Sequence, residues 1–401
     1  MTVFLGGGFA AKYLQGGGNF SVPLQWMLGL RRLKLDAIWL EHLPSEGNLR
    51  DDQRKIDSFQ RQLRAHGLGG RYCLLYQKTP DSAHDLDALR CIGMSKRELL
   101  DRLTGPNTLL NLSYSIHPPL LLKFERRIFC DLDPSEIIYW MTRMEMGQST
   151  HHEFWTIGLN VNEPECRLLK AVPARLPGSP SELQARRLPP QKKIQWKTFY
   201  PLVDTKLYRP KPRPRLPKFT TIGQWYWGGA VEVDGEFPDL SKKYAFEPYL
   251  DLPKRVPKAK FELAMHMNPD DPERERLRKR GWYVVNPHRV TRTPKKYRRY
   301  LASALGEFTA IKGVDVSWKT GWLSDRAAAF LAAGRPVVTE DSGAAKYLPR
   351  ESGFHFVGDL ETAVAAIEDL LANWPRRSRE ARASAVEVFD SAKNLRKILG
   401  V

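Results

Sequence analysis

The sequence predicts an α/β protein of two Rossmann-like domains facing each other across a cleft, and three observations predict it. Short apolar strands alternate with helical segments over residues 1–170, at a spacing that argues for a parallel sheet. A second series of the same kind occupies 218–376. Between them, residues 171–217 hold ten prolines, which excludes regular helix and central strand and marks a connection, partly polyproline II. A length of 401 residues fits two or three domains and allows substantial cores.

Residues 3–5 read as the first strand, followed by the glycine-rich turns Gly6-Gly7-Gly8 and Gly16-Gly17-Gly18-Asn19. Ser21 is placed to cap a helix with Pro23 in its first turn, and Leu24, Met27, Leu28 and Leu33 give that helix an apolar stripe. Residues 37–40 are the next strand. The opening is Rossmann-like in pattern, yet it lacks the third glycine of the dinucleotide fingerprint. Residues 50–66 form a polar amphipathic helix, 72–76 a buried strand, 96–103 a helix and 108–112 a strand. A strand at 126–131 runs into Asp131-Leu132-Asp133-Pro134, where Asp133 suits a helix cap, and a helix follows from Ser135 to Met144. Within the connection, 194–203 is less proline-dense and is the part able to pack on a domain. The second series has strands at 219–223, 261–265, 282–285, 307–310, 336–339 and 354–356, with helices at 272–280, 295–304 and 360–371. A further helical segment closes the chain over 377–401.

The formal charge is +18, a surplus that favours anionic partners such as nucleic acid, an acidic lipid surface or phosphorylated substrates. It is concentrated. From Arg186 to Lys218 there are eleven Lys or Arg and one acid, Asp204; from Arg274 to Arg299 there are eleven more, against Glu273 and Glu275. Lys211, Arg213, Arg215, Arg278, Lys279 and Arg280 are the candidate polyanion contacts from these runs. No run of about eighteen apolar residues occurs, so no transmembrane helix is expected. Residues 1–18 lack a basic region and read as strand and loop rather than a signal peptide. Cys73, Cys91, Cys130 and Cys166 show neither a C-x-x-C pair nor zinc spacing, so free thiols in a reducing cytoplasm are expected.

Residues 321–343, GWLSDRAAAFLAAGRPVVTEDSG, carry the most chemistry. Ser324, Asp325 and Arg326 open a small-residue helix that ends at Gly334, an expected left-handed stop. A helix start aimed at a cleft, with an Arg in its first turn, is a seat for a phosphate. Ala327, Ala328, Ala329, Ala332 and Ala333 let the helix pack closely on a sheet. The strand at 336–339 then leads to a polar turn through Ser342 to Gly343.

This run resembles the donor-binding segment of glycosyltransferases of the two-Rossmann, GT-B kind, in which a helix before an A-x-G-x-P-V-V strand faces the nucleotide sugar. The whole chain is similar to one poorly characterised bacterial glycosyltransferase family. The matching pieces, in order, are GGGNFSVPLQWMLGLRRL (16–33), FCDLDP (129–134), HHEFWTIGLNVNEPEC (151–166), FTTIGQW (219–225), GEFTAIKG (306–313) and GWLSDR (321–326). The resemblance implies a GT-B fold, sugar transfer from a nucleotide-diphosphate donor to an acceptor hydroxyl, and a terminal segment, 377–401, that crosses back onto the N-terminal domain. One departure matters. Retaining GT-B enzymes of the common kind carry E-x7-E around this helix, and the gapless match puts Gly321 and Ala329 at the two Glu positions. Asp325, four residues before Ala329 on the same helix face, is the candidate to take over the ribose contact.

Under this reading Lys312 and Arg326 are the diphosphate pair, and Glu307 orients one of them or a donor hydroxyl. Gly17 and Gly18 let backbone approach the sugar phosphate, while Gln224, Trp225, Ser342 and Gly343 stand near strand ends, where ligand crevices lie in open α/β sheets. Candidate bases are Asp131, His117, His151 and His152. The co-substrate is a nucleotide-diphosphate sugar, with no obligatory metal expected; Asp131-x-Asp133 is the one pair suited to a metal. A polyanionic acceptor, such as DNA carrying a hydroxylated base, fits the charge. The alternatives are a lipid or polysaccharide acceptor at an anionic membrane, contacted peripherally, and a non-catalytic nucleic-acid-binding protein with a degenerate transferase fold.

Overall fold

The structure is a computed structural model, and it describes residues 1–79, 84–168, 194–229, 231–232 and 236–401. The part of the connection at 171–193, including Arg186 and its basic neighbours, lies outside the described residues. Two sheets organise the chain. The first has the order β4-β3-β2-β1-β5-β6-β7-β8. Its strands are β1 Thr2–Gly7, β2 Asp36–Pro44, β3 Tyr72–Gln77, β4 Arg90–Ile92, β5 Asn107–Leu112, β6 Arg126–Asp131, β7 Glu153–Thr156 and β8 Trp196–Thr198. Every neighbouring pair is parallel except β3 with β4. The second sheet has the order β11-β10-β9-β12-β13-β14, all parallel. Its strands are β9 Lys218–Gln224, β10 Lys260–His266, β11 Trp282–Val285, β12 Gly306–Phe308, β13 Val337–Thr339 and β14 Phe354–Phe356. Counted from β9, this is the 3-2-1-4-5-6 order of a doubly wound domain, whose ligand crevice lies where the order reverses, between β9 and β12. The first sheet reverses in the same way between β1 and β5.

Parallel sheets are covered on both faces, and the strands here read accordingly as apolar runs: every residue of β3 and of β5 is buried. Sequence periodicity misses three strands. β4 and β8 are three residues long, and β7 sits in a stretch whose aromatic residues give no alternation. β8 lies within the proline-rich connection, so that part of it belongs to the first sheet.

The first helix begins at Gly17, not at Ser21. Gly16 holds the N-cap position, and Ser21 lies inside the helix, its hydroxyl donating to the Gly17 carbonyl at 2.5 Å. Pro23 is therefore an interior residue of the helix Gly17–Arg32. At the other end of the chain, one long helix, Leu360–Glu387, runs across position 377, kinked at Asn373 just before Pro375. The chain crosses between domains after it. Val203 bridges to Asp390, and the helix Ser391–Leu399 packs Leu395, Ile398 and Leu399 into the first core beside Trp26 and Leu30. Gly29 makes this crossing possible, since a Cβ there would sit 2.6 Å from Leu395. A separate core around Phe219, Phe261, Trp282 and Phe308 supports the second sheet. No described helix is long and apolar enough to cross a membrane.

Candidate functional site

The C-terminal ends of β9 and β12 meet the start of the helix Asp325–Ala332. Ser324 caps that helix, its Oγ accepting from the Arg326 amide at 3.1 Å. The six residues Ala327 to Ala332 are all buried, which brings the helix close to the sheet. Arg326 then folds back over the strand ends. Nη1 donates to the Ile222 carbonyl at 2.6 Å, Nη2 donates to Thr309 Oγ1 at 3.3 Å, and Nε pairs with Glu307. Glu307 is fully buried and also accepts from Thr221 Oγ1 at 2.9 Å. Its Oε2 has no hydrogen-bond partner among the described residues. Burial pushes the Asp325 carboxyl up to about 7, against its own amide and the Arg326 charge.

Two lysines complete this wall. Lys242 begins the short helix Lys242–Phe246 and donates to the Ala310 carbonyl. Burial brings its ammonium down to about 7; Arg326 and Lys312 push the same way, and Glu340 and Glu307 oppose them. Lys312 reaches across to the first domain, where Nζ pairs with Asp133 at 2.7 Å and with Glu136, 5.0 Å from the centre of the Trp227 ring. Burial works against its charge, but Asp133, Asp315 and Glu136 outweigh it and raise its pKa.

The opposite wall is acidic. Asp131 ends β6 fully buried and accepts from Thr156 Oγ1 at 2.5 Å and from the Asp133 amide at 2.9 Å. Burial lifts its carboxyl to about 7 despite those bonds. Asp133 stands at the N-cap of the helix Pro134–Met141 but makes no side-chain cap, because its carboxylate goes to Lys312. Asp315, on the second domain three residues after Lys312, faces this wall, accepting from Ser135 Oγ at 3.2 Å and Thr320 Oγ1 at 2.8 Å, and burial raises its pKa. Asn160, just beyond β7, ties the walls together: its amide donates to the Thr320 carbonyl, and Nδ2 donates to the Lys319 carbonyl at 2.8 Å.

The other candidates are placed as follows. A Cβ on Gly17 would lie 2.0 Å from the Thr291 carbonyl, which accepts from the Gly17 amide, and one on Gly18 would meet the Tyr297 ring. Gly17 therefore serves close packing between domains, with its amide already engaged, whereas a Cβ on Gly18 would make only an ordinary contact at 3.4 Å. Gln224 is exposed at the end of β9. Trp225 is wholly buried in the second core against Phe246, so it does not flank the cleft. Ser342 Oγ donates to the Trp322 carbonyl, and Gly343 holds a left-handed turn at φ +91 beside Asn160. Gly321 explains the missing first carboxylate of the E-x7-E pattern: at φ +75, a Cβ there would stand 2.4 Å from the Asn160 nitrogen. Ala329 is buried.

Among the candidate bases, His117 is exposed, its Nε2–H donating to the Tyr114 carbonyl at 2.6 Å, which leaves Nδ1 with the lone pair. His151 has both ring nitrogens engaged, with the Gly147 carbonyl and Asn111, and burial lowers its pKa to about 4. His152 is bound through both nitrogens to Arg127, near the start of β6, at the edge of the sheet opposite the strand ends. The structure thus takes His152 away from the strand ends, whereas Tyr114 packs against both His117 and His151, at 4.4 and 5.9 Å between ring centres.

The basic runs divide as well. Arg278 pairs with Glu275 and Arg280 with Asp251, both at 2.6 Å, and Lys279 is exposed between them. Lys211, Arg213 and Arg215 are exposed along the connection, with Arg213 donating to the Leu371 carbonyl. Sequence reasoning missed Lys242, Glu136 and Asn160. Lys242 opens a five-residue helix and Glu136 lies in the first turn of the helix Pro134–Met141, and only the fold brings them to the crevice. Asn160 had a signal, since it lies within the HHEFWTIGLNVNEPEC piece.

Comparison with known proteins gives fold-level matches only; no family model and no curated sequence matches the chain. HepE of Anabaena, solved with UDP and glucose, superposes with a TM-score of 0.55 at 10% identity, over 100% of this chain and 98% of that one. Sucrose-phosphate synthase of Thermosynechococcus elongatus gives 0.52 at 10% identity over the same shares. An alpha-glucosyltransferase solved with UDP and a 13-mer DNA containing a central A:G mismatch also gives 0.52, at 10% identity over 100% of this chain and 98% of that one. The likeness establishes the two-domain GT-B architecture.

Proposed function

We propose that this chain of GT-B fold is a glycosyltransferase that moves a sugar from a nucleotide-diphosphate donor to an acceptor hydroxyl. The observation that carries the reading is the convergence of Lys242, Lys312 and Arg326 on the ends of β9 and β12, beside the N-terminus of the helix Asp325–Ala332. As the bond from the anomeric carbon to the diphosphate breaks, negative charge develops on the departing oxygen. Three cations and a helix start are what stabilise it. In this reading Glu307 Oε2, buried without a partner among the described residues, and the Asp325 carboxyl at the start of the helix take donor hydroxyls. The acceptor oxygen bonds to the anomeric carbon and gives up its proton. Asp131 and His117 are the groups in this reading that receive it.

The acceptor in this reading is polyanionic, with DNA bearing a hydroxylated base as the specific proposal. The net charge of +18 supports it, as does the DNA bound by the alpha-glucosyltransferase of the same fold. The test is a thermal-shift panel of nucleotides and nucleotide sugars, followed by hydrolysis of the stabilising sugar nucleotide without acceptor. A ligand at a hundred times its Kd adds about 2.7 kcal/mol of stability. No stabilisation by any nucleotide sugar, with no hydrolysis, would leave a binding protein on a transferase scaffold.

A further inference from the structure

The helix Pro294–Ser303 carries its charges against its own interest. Lys295 and Lys296 occupy its first turn, which holds no acid, although that end of a helix favours negative charge. Lys295 and Arg299 lie four residues apart on one face, a repulsive pairing, with Arg298 beside them. Facing them is the connection, which brings Arg209 and Lys211. Together the five cations line a groove of about 270 Å³, with Ala302 and Ala333 also in its lining. None of the five makes an ion pair with a carboxylate among the described residues. Their nearest polar contacts are weak or neutral: Arg298 meets His66 at 3.3 Å, and Arg209 donates to the Lys206 carbonyl.

A buried arginine holds this arrangement in place. Arg335 is wholly buried and has no acidic partner among the described residues. It donates to the carbonyls of Lys211 and Pro212 on the connection and, at 2.8 Å, to Ala302 at the end of the helix. It also lies 5.2 Å from the centre of the Trp374 ring. The groove is therefore built before any ligand arrives. It is also remote from the crevice. Ala333 stands at the C-terminal end of the helix whose N-terminus faces the cleft, and eight residues of helix separate the two by about 12 Å.

We propose that this groove is an exosite for the phosphodiester backbone of a nucleic acid, separate from the reaction centre. This deepens the polyanion part of the reading above and does not depend on the donor site. The alternative anion, a lipid surface, is disfavoured because none of the large exposed apolar side chains lines the groove to anchor it in a bilayer. The second basic run divides in agreement: Arg276, Arg278 and Arg280 are paired with acids, whereas Lys295, Arg298 and Arg299 are left open.

Two charge-matched triple variants test it. The first is Lys211→Gln, Lys295→Gln, Arg299→Gln; the second is Arg278→Gln, Lys279→Gln, Arg280→Gln. Fluorescence anisotropy of a short DNA duplex is titrated at several salt concentrations for each, with melting temperature and UDP-induced stabilisation as controls on fold and donor site. The groove variant is expected to lose at least tenfold in affinity and to flatten the log–log salt slope by about 2–3. The matched variant stays within about twofold of the parent. Equal losses in both variants reduce the effect to net charge and overturn the exosite. So does a parent protein that binds phosphatidylglycerol vesicles but not DNA. Absent UDP stabilisation alongside intact groove-dependent DNA binding would sink the donor reading and leave the exosite standing.

Discussion

Among single residues, Arg326 and Lys312 do different jobs although the sequence presents them as a pair. The Arg326 guanidinium neutralises a wholly buried Glu307, so Arg326→Ala strands that carboxylate and is expected to cost roughly 3–5 kcal/mol of stability besides activity. Lys312 meets two carboxylates that keep some exposure, so Lys312→Ala is expected to cut turnover by about 10²–10³ with a much smaller fall in melting temperature. Equal melting temperatures for the two variants would contradict this assignment. Lys242 supplies a pH signature. Its pKa falls from 10.5 unfolded to about 7 folded, so between those values the unfolded chain binds the extra proton and stability rises with pH across that window. A bound diphosphate favours the charged ammonium. UDP binding at pH 8 should therefore draw in a proton, seen calorimetrically as a dependence on buffer ionisation heat. Lys242→Met should abolish that dependence, and its persistence in the variant would assign the proton elsewhere. Neither behaviour was legible in the sequence: burial and the Glu307 contact come from the strand ends, while the cationic character of the 321–343 segment was readable from Arg326 itself.

Elements explain why the fold was legible and the bases were not. Apolar strands between capped helices announce a parallel sheet, since β3 and β5 are buried on both faces and leave a run of apolar residues. Three-residue strands leave no such trace, and β8 hides among prolines. His151 looked catalytic because it opens the HHEFWTIG piece, yet its ring packs against Phe129 and its nitrogens are spent. The glycine-rich turn after β1 is the reverse case: Gly17 is obligatory, but for docking. Gly17→Ala forces a Cβ into the Thr291 carbonyl and is expected to separate the domains or cost about 1–3 kcal/mol. Small-angle scattering and thermal unfolding read the two outcomes, and a variant unchanged in both would show that the contact yields easily.

At the level of the whole molecule, the domains are joined by the connection, by the helix crossing after Asp390, by the packing of Gly17 on Thr291, and by polar contacts across the cleft. Removing the helix Ser391–Leu399 uncovers Trp26 and Leu30 in the first core while leaving the second core intact. A truncation before Ser391 should therefore split a single thermal transition into two, with the lower one belonging to residues of the first sheet. A truncated chain that still melts in one step would show the crossing to be dispensable. The two-domain plan could be read from alternation and proline density, and the resemblance implied the crossing of 377–401, but the residues it covers could not be read, because they depend on which surfaces meet.

The ion pair between Lys312 and the first domain has a consequence for how an anion would be admitted. Asp133 and Glu136 already occupy the ammonium, so the protein carries an internal competitor for its own cation. A diphosphate arriving there exchanges partners and creates no new charge contact at that lysine. Salt weakens the resident pair and the incoming one together, and the two effects largely cancel. The share of cleft affinity that passes through Lys312 should then be nearly indifferent to ionic strength, whereas a groove of unpaired cations surrenders its ligand as salt rises. One molecule would thus hold two anion sites of opposite salt character, distinguishable in a single titration series.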